Sequence, residues 1–88
     1  MSSSSHPQLA PGFRLQWEPA QNAHVLLYPE GMVRLNQSAA EILKRCDGAR
    51  TIVEIVDDLE RAFNRSGLAP EVQSFIAIAS NNGWLRRP

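Results

Sequence analysis

The sequence predicts an α+β domain of winged-helix type, in which a three-stranded antiparallel meander is followed by a bundle of three helices. Two observations predict it. Apolar and polar residues alternate in the first third of the chain, which is typical of strands, and apolar residues then recur every three to four positions, which is typical of amphipathic helices. Because three short helices are marginally stable alone, the apolar face of the meander is expected to cover them.

The first two predicted strands differ in how they are covered. Phe13, Leu15 and Trp17 alternate with polar residues, so this strand has one apolar and one polar face. Residues 25–28 (VLLY) are apolar at every position, so both faces of this strand carry apolar side chains. That pattern suits a strand that is covered on both faces.

The third strand, residues 32–35, is the expected edge of the sheet. It follows residues 29–31 (PEG), which predict a three-residue hairpin with Gly31 in a left-handed conformation. An edge strand presents unpaired N–H and C=O groups, to which an extended peptide can add as a further strand. Peptide capture at this edge is one hypothesis. A self-associating module, a homodimer formed by strand exchange through loop 19–23 or 29–31, is another.

Capping signals place the helices. Residues 38–41 (SAAE) and 51–54 (TIVE) match the capping box, in which a hydroxyl and a carboxylate satisfy backbone donors reciprocally. Gly48 can end the first helix, and Pro70 suits the first position of the third. The apolar positions of the three helices fall on single faces and are the predicted core: Ala39, Ile42, Leu43, Cys46, Ile52, Ile55, Val56, Leu59, Phe63, Val72, Phe75, Ile76 and Ala79.

The 88-residue chain is expected to form one domain, residues 12–88, after a disordered N-terminal tail, residues 1–11, that is rich in serine and proline. Its single cysteine cannot form an internal disulfide. No apolar run reaches the length of a membrane span, and the N-terminus lacks the apolar segment of a signal peptide. A cytoplasmic protein is therefore expected.

The charge balance disfavours nucleic acid and anionic membrane as partners. Nine Lys and Arg residues balance nine Asp and Glu residues, whereas both ligands require an excess of cations. The second predicted helix (52–63) carries four acidic residues and one arginine, and the third (70–81) has no Lys or Arg. Neither matches a DNA-recognition helix, so a winged-helix DNA-binding protein is the less favoured alternative.

No arrangement of side chains predicts catalysis or a metal site. His6 lies in the tail, and His24 begins a strand. Cys46 shares the core face of its helix, where a small buried thiol is expected. Asp57 and Asp58 are adjacent on a helix, so their side chains diverge by about 100° and face solvent. The sequence therefore predicts a non-enzymatic domain, and protein or peptide recognition remains.

Seven short segments form an ordered pattern: residues 9–14 (LAPGFR), 24–31 (HVLLYPEG), 35–36 (LN), 40–43 (AEIL), 46–48 (CDG), 51–56 (TIVEIV) and 83–85 (GWL). In this order they resemble the pyrroloquinoline quinone (PQQ) biosynthesis protein D family. The similarity covers nearly the whole chain except its serine-rich start. Single segments are weak signals, but their order along a short chain is specific.

The resemblance implies a peptide chaperone, a recognition element of pathways that make ribosomally synthesized and modified peptides. Such proteins bind the precursor peptide PqqA and present it to the radical S-adenosylmethionine enzyme PqqE, which cross-links a Glu to a Tyr of that peptide. The resemblance implies that the iron–sulfur clusters and S-adenosylmethionine belong to the enzyme and that the chaperone holds no cofactor.

The resemblance also implies where the peptide binds. Relatives of this fold add the leader peptide as a strand to their third β-strand, beside the third helix. Carried over to this sequence, main-chain pairing falls on Met32, Val33, Arg34 and Leu35. The groove wall falls on Val72, Phe75, Ile76 and Ala79, for which plain core packing is the alternative.

Overall fold

A computed structural model describes residues 5–86 and confirms the predicted α+β architecture. The elements in chain order are strands β1 (Gln8–Leu9), β2 (Arg14–Glu18), β3 (Ala23–Tyr28) and β4 (Gly31–Arg34), helices α1 (Gln37–Lys44), α2 (Ile52–Ala62) and α3 (Ala69–Asn81), and strand β5 (Leu85–Arg86). Strands β2, β3 and β4 form an antiparallel sheet in that order, and β1 pairs antiparallel with β5. No helix within residues 5–86 combines the length and apolar character that crossing a membrane requires.

The sheet packs one face against the helices. Leu15, Leu26 and Val33 are register partners across the three strands and belong to this inner face. Val25 and Leu26 are both fully buried, which confirms that the central strand is covered on both faces there. Trp17 lies on the inner face but is 49% exposed, because it sits near the end of the sheet against the edge of the His24 ring. The predicted apolar face of β2 is therefore half-buried at Leu15 and exposed at Trp17.

The β3–β4 hairpin is tighter than predicted. Tyr28 pairs with Gly31, so the turn contains two residues, and Gly31 does not adopt a positive φ. The register has a clear physical reason. A three-residue loop would pair Leu26 with Arg34 and turn a charged side chain toward the core, whereas the observed register pairs Leu26 with Val33.

Helix α1 begins at a different cap from the predicted one. The Asn36 side-chain oxygen accepts a hydrogen bond from the Ala39 N–H at 2.8 Å. Asn36 directly follows the buried Leu35 and caps the helix before Ser38 can, so the capping box at residues 38–41 is wrong. The helix ends at Lys44, short of Gly48.

The caps of α2 and α3 lie close to the predicted positions. Thr51 Oγ1 accepts from the Glu54 N–H at 3.2 Å, and Glu54 Oε1 accepts from the Thr51 N–H at 2.8 Å. This confirms the second capping box. Pro70 lies in the first turn of α3, one residue after its first position.

The core lies between the inner sheet face and the helices. Most of the predicted helical positions are buried, and Ile52, Val56 and Phe75 lie at its margin. Phe63 is 41% exposed, so its predicted place in the core is wrong. It follows the last turn of α2, beyond the end of the packed helical stripe. The core consists of Leu26, Leu35, Ala39, Ala40, Ile42, Leu43, Cys46, Ile55, Leu59, Val72, Ile76, Ala79 and Leu85.

The N-terminal segment is part of the domain from Pro7 onward. Pro7 is fully buried, its carbonyl accepts from the Gly48 N–H at 3.0 Å, and the Ala10 N–H donates to the Trp84 carbonyl at 2.8 Å. The prediction of disorder over residues 1–11 is thus wrong for residues 7–10, and its first four residues lie outside the described part. A two-residue strand has no periodicity, so sequence pattern could not identify β1.

Pro7→Ala is expected to lower the free energy of unfolding by about 1.5–3 kcal/mol, because it removes fully buried ring atoms and also frees the unfolded chain. Pro11→Ala is the matched control. Pro11 is exposed, so only the unfolded-state effect of about 0.4–1 kcal/mol applies. Urea denaturation measures both variants. Equal losses would contradict docking of the N-terminal segment.

Candidate functional site

Strand β4 is an edge of the three-stranded sheet, as the sequence predicts. Within residues 5–86 it pairs with β3 and with no other strand. Its other side therefore presents main-chain N–H and C=O groups that no strand of the described chain satisfies.

The direction of these groups alternates along β4. The Leu35 N–H donates to the His24 carbonyl at 3.0 Å, which fixes this pair as a hydrogen-bonded one. Because bonded and non-bonded pairs alternate in antiparallel sheets, Val33 also bonds inward to β3. Met32 and Arg34 form the non-bonded pairs, so their N–H and C=O groups point to the open edge. We call these four main-chain groups the β4 edge.

The side chains of the predicted strand site divide between the two faces of the sheet. Met32 is 46% exposed and Arg34 is exposed. Val33 is half-buried against the core, and Leu35 is buried within it. Of the four predicted residues, therefore, Met32 and Arg34 can offer main-chain pairing, and Val33 and Leu35 use theirs within the sheet.

The predicted groove wall on α3 lies mainly inside the core. Val72, Ile76 and Ala79 are 2%, 1% and 0% exposed, which favours core packing for these three. Phe75 is half-buried at the core margin. Ile78 follows Phe75 by three positions on the same side of the helix and is 55% exposed. Ile78 is not among the predicted site residues, and its signal in the sequence is an apolar residue outside the core stripe of the helix.

A cavity of about 270 Å³ opens where the first turns of α1 and α3 meet the end of α2. Gln37 and Ser38 line one side of it, and they follow β4 by only three and four residues. Phe63 and Leu68 supply apolar lining, and Val72 borders it as well. The cavity therefore opens close in sequence to the C-terminal end of β4, and its apolar lining can take an apolar side chain.

The adjacent acidic residues of α2 each hold an arginine. Asp57 Oδ2 accepts from Arg61 at 2.7 Å within the helix. Asp58 pairs with Arg45 at the end of α1, and this hydrogen bond holds the pKa of Asp58 below its usual range. Arg45 also bonds Glu41 and lowers its pKa in the same way. The Asp58–Arg45 pair joins α2 to the end of α1, the other two pairs each link residues four apart, and these carboxylates do not converge on a reactive position.

Cys46 is expected to be inert in the folded protein. Burial raises the pKa of its thiol to about 12, with a smaller contribution from Asp47. At pH 8 the thiolate fraction is then lower than that of a free cysteine by on the order of a thousandfold. Ellman's reagent at pH 8 should label the thiol fully in guanidinium and only through unfolding in buffer. Native labelling at the rate of a free thiol would contradict this burial.

Metal-ligand groups do not gather in the described residues: no three His, Cys, Asp or Glu side chains there could hold one ion. What the described residues do offer is the open β4 edge, together with a cavity that Gln37 and Ser38 help to line soon after that strand.

The chain is similar to a family model, to curated proteins and to a solved structure. The family model of coenzyme PQQ synthesis protein D (PqqD) matches residues 23–85. The chain is 51% identical over 79 residues to the PqqA binding protein of Methylococcus capsulatus, covering 90% of this chain and 85% of the relative. It is 55% identical over 80 residues to the PqqA binding protein of Azotobacter vinelandii, covering 90% of this chain and 87% of the relative.

A solved structure shares the whole fold. It is the solution NMR structure of the PqqD truncation of Methylobacterium extorquens PqqCD, described as a functional and stand-alone recognition element for ribosomally synthesized and post-translationally modified peptides. The TM-score is 0.74 at 28% identity, and the match covers 99% of this chain and 94% of the other. With a matching family model over most of its length and relatives near half identity, this chain belongs to the coenzyme PQQ synthesis protein D (PqqD) family.

Proposed function

We propose that this chain binds the precursor peptide PqqA by strand addition at the β4 edge and presents it to the radical S-adenosylmethionine enzyme PqqE. The observation that carries the proposal is the outward direction of the Met32 and Arg34 main-chain groups on an edge strand. The relatives named PqqA binding protein support the identity of the guest.

Main-chain pairing alone does not give useful affinity. The four groups of the β4 edge can form about four hydrogen bonds, each worth a net 0.5–1.5 kcal/mol. Ordering a disordered peptide costs roughly 2–5 kcal/mol, which offsets most of that gain. Side-chain burial must supply the rest. One buried leucine or isoleucine contributes about 1.5–3 kcal/mol, and the cavity at the end of β4 is the place for it.

In this proposal the domain contributes position and no chemical step. A peptide held extended near the active site of the enzyme experiences an effective concentration that is commonly on the order of millimolar for a short tether. We place this activity in the cytoplasm, where the single free thiol of the chain persists without a disulfide partner.

Titration calorimetry with synthetic PqqA tests the proposal, followed by sedimentation of the complex with PqqE. We expect one peptide per domain, micromolar or tighter affinity, a negative heat-capacity change and a three-component species. A peptide of the same composition in scrambled order is the control. Equal heats for the two peptides, or enzyme that sediments apart from the peptide complex, would refute the proposal.

A further inference from the structure

The sheet has a second surface that the core does not use. Sheet residues that pack with the core, such as Leu15, Leu26 and Val33, all belong to the inner face. Residues of the other parity point away from the helices. We call this surface the outer sheet face, and its members are Arg14, Gln16 and Glu18 on β2, Ala23, Val25 and Leu27 on β3, and Met32 and Arg34 on β4.

The outer sheet face carries two arginines around an apolar centre. Arg14, Leu27 and Met32 form one row across the strands, and Arg34 lies in the next row on β4. Strand spacing and rise place the two arginine Cα atoms about 12 Å apart. Leu27 is half-buried and Met32 is 46% exposed between them, whereas Val25, the register partner of Arg34 in the next row, is fully buried and offers no surface.

Both arginines lack an acidic partner within the described chain. The ion pairs among residues 5–86 use Lys44, Arg45, Arg50 and Arg61. The one carboxylate on these three strands, Glu18, lies at the opposite end of β2 from Arg14. Two exposed guanidinium groups beside an apolar patch are complementary to carboxylates that surround an apolar side chain.

We propose that the outer sheet face docks a partner protein through an acidic surface with an apolar centre, and that this partner also contacts the guest peptide. The inference rests on the proposed function, since a strand added at the β4 edge continues the sheet. Every second side chain of that strand then lies on the outer sheet face, next to Met32 and Arg34. The partner therefore contacts a composite surface, formed by side chains of the domain and side chains of the guest peptide.

The size of the face favours such a partner over a second copy of the chain. Three strands of about five residues cover roughly 14 by 17 Å, or about 240 Å² in projection. A stable dimer buries about 800 Å² on each partner. An added guest strand widens the face that such a partner contacts, whereas two bare sheet faces offer only the smaller area.

The composite surface predicts coupling between guest and partner. If the partner contacts both components, the guest raises the affinity of the domain for the partner, and the partner raises the affinity for the guest by the same factor. Couplings of this kind are typically about 5- to 150-fold.

Arg14→Glu tests the inference with PqqE as the probe. Arg14 lies on β2, at the far side of the sheet from the β4 edge, so PqqA affinity should change less than about twofold. Affinity of the peptide complex for PqqE should fall at least about tenfold, and added salt should weaken the wild-type complex more than the variant. The affinity of the milder variant Arg14→Gln for PqqE should lie between those of the wild type and Arg14→Glu.

Arg61→Glu is the matched control, because it changes the charge equally on the exposed face of α2, and neither affinity should change. Unaltered PqqE binding by Arg14→Glu would overturn the inference alone. Wild-type protein that does not bind PqqE would overturn the presentation step and the inference together. A wild-type dimer that Arg14→Glu makes monomeric would overturn it in favour of an interface between copies.

Discussion

Replacing Met32 with proline is expected to remove most of the PqqA affinity and to leave the domain folded. The Met32 N–H points to the open edge, so proline deletes a docking donor without breaking a bond of the sheet. Loss of one main-chain bond together with the bulk of the ring costs about 1–3 kcal/mol of binding, or roughly 5- to 150-fold in Kd. Calorimetry with synthetic PqqA measures the affinity, and urea denaturation measures the fold.

Two neighbouring variants control for this result. Met32→Ala keeps the donor and should retain most of the affinity. Val33→Pro deletes an N–H that bonds inward to β3, so it should destabilise the hairpin itself. Normal PqqA binding by Met32→Pro would contradict strand addition. Equal losses of affinity in Met32→Ala and Met32→Pro would instead indicate that the Met32 side chain makes the contact.

Ile76→Ala is expected to lower the free energy of unfolding by about 2–5 kcal/mol. Ile76 is 1% exposed within the core cluster, and its truncation leaves a cavity that the surrounding side chains fill only in part. Native domains of this kind are stable by about 5–15 kcal/mol, so the variant should lose a large share of its stability. Guanidinium denaturation followed by circular dichroism provides the measurement.

Ile78→Ala on the same helix is the matched control. Ile78 is 55% exposed, and an exposed substitution usually changes stability by less than about 0.5 kcal/mol. The groove-wall role implied by family resemblance predicts the reverse for Ile76: unchanged stability with lost PqqA affinity. That outcome would contradict the core assignment.

Much of the fold was predictable from the sequence because it depends on local interactions. Thr51 and Glu54 form the predicted capping box because both partners are within one helical turn. The 3.6-residue period identified most of the buried positions of the three helices, and the change of period identified the order of strands and helices. The predicted start of α1 was wrong because two nearby residues, Asn36 and Ser38, are both good N-caps. The chain uses Asn36, which directly follows the buried Leu35.

The candidate site depended more on distant contacts. The edge position of β4 followed from the strand order. The direction of the Met32 and Arg34 amides depends instead on the register with β3, which is fixed because Leu26 and Val33 both face the core. Helix α3 shows the same limit. The 3.6-residue period placed Ile76 in the core stripe and left Ile78 outside it, but family resemblance assigned Ile76 to the groove wall, and packing against the other elements buries it.

Amide hydrogen exchange on isotope-labelled protein, with and without PqqA, tests strand addition at the β4 edge most directly. We expect exchange at Met32 and Arg34 to slow at least about tenfold when the peptide binds, because their N–H groups gain partners. Val33 lies between them and is already bonded to β3, so its protection should change little. Saturating peptide that leaves Met32 and Arg34 exchanging at their free rates would contradict the account.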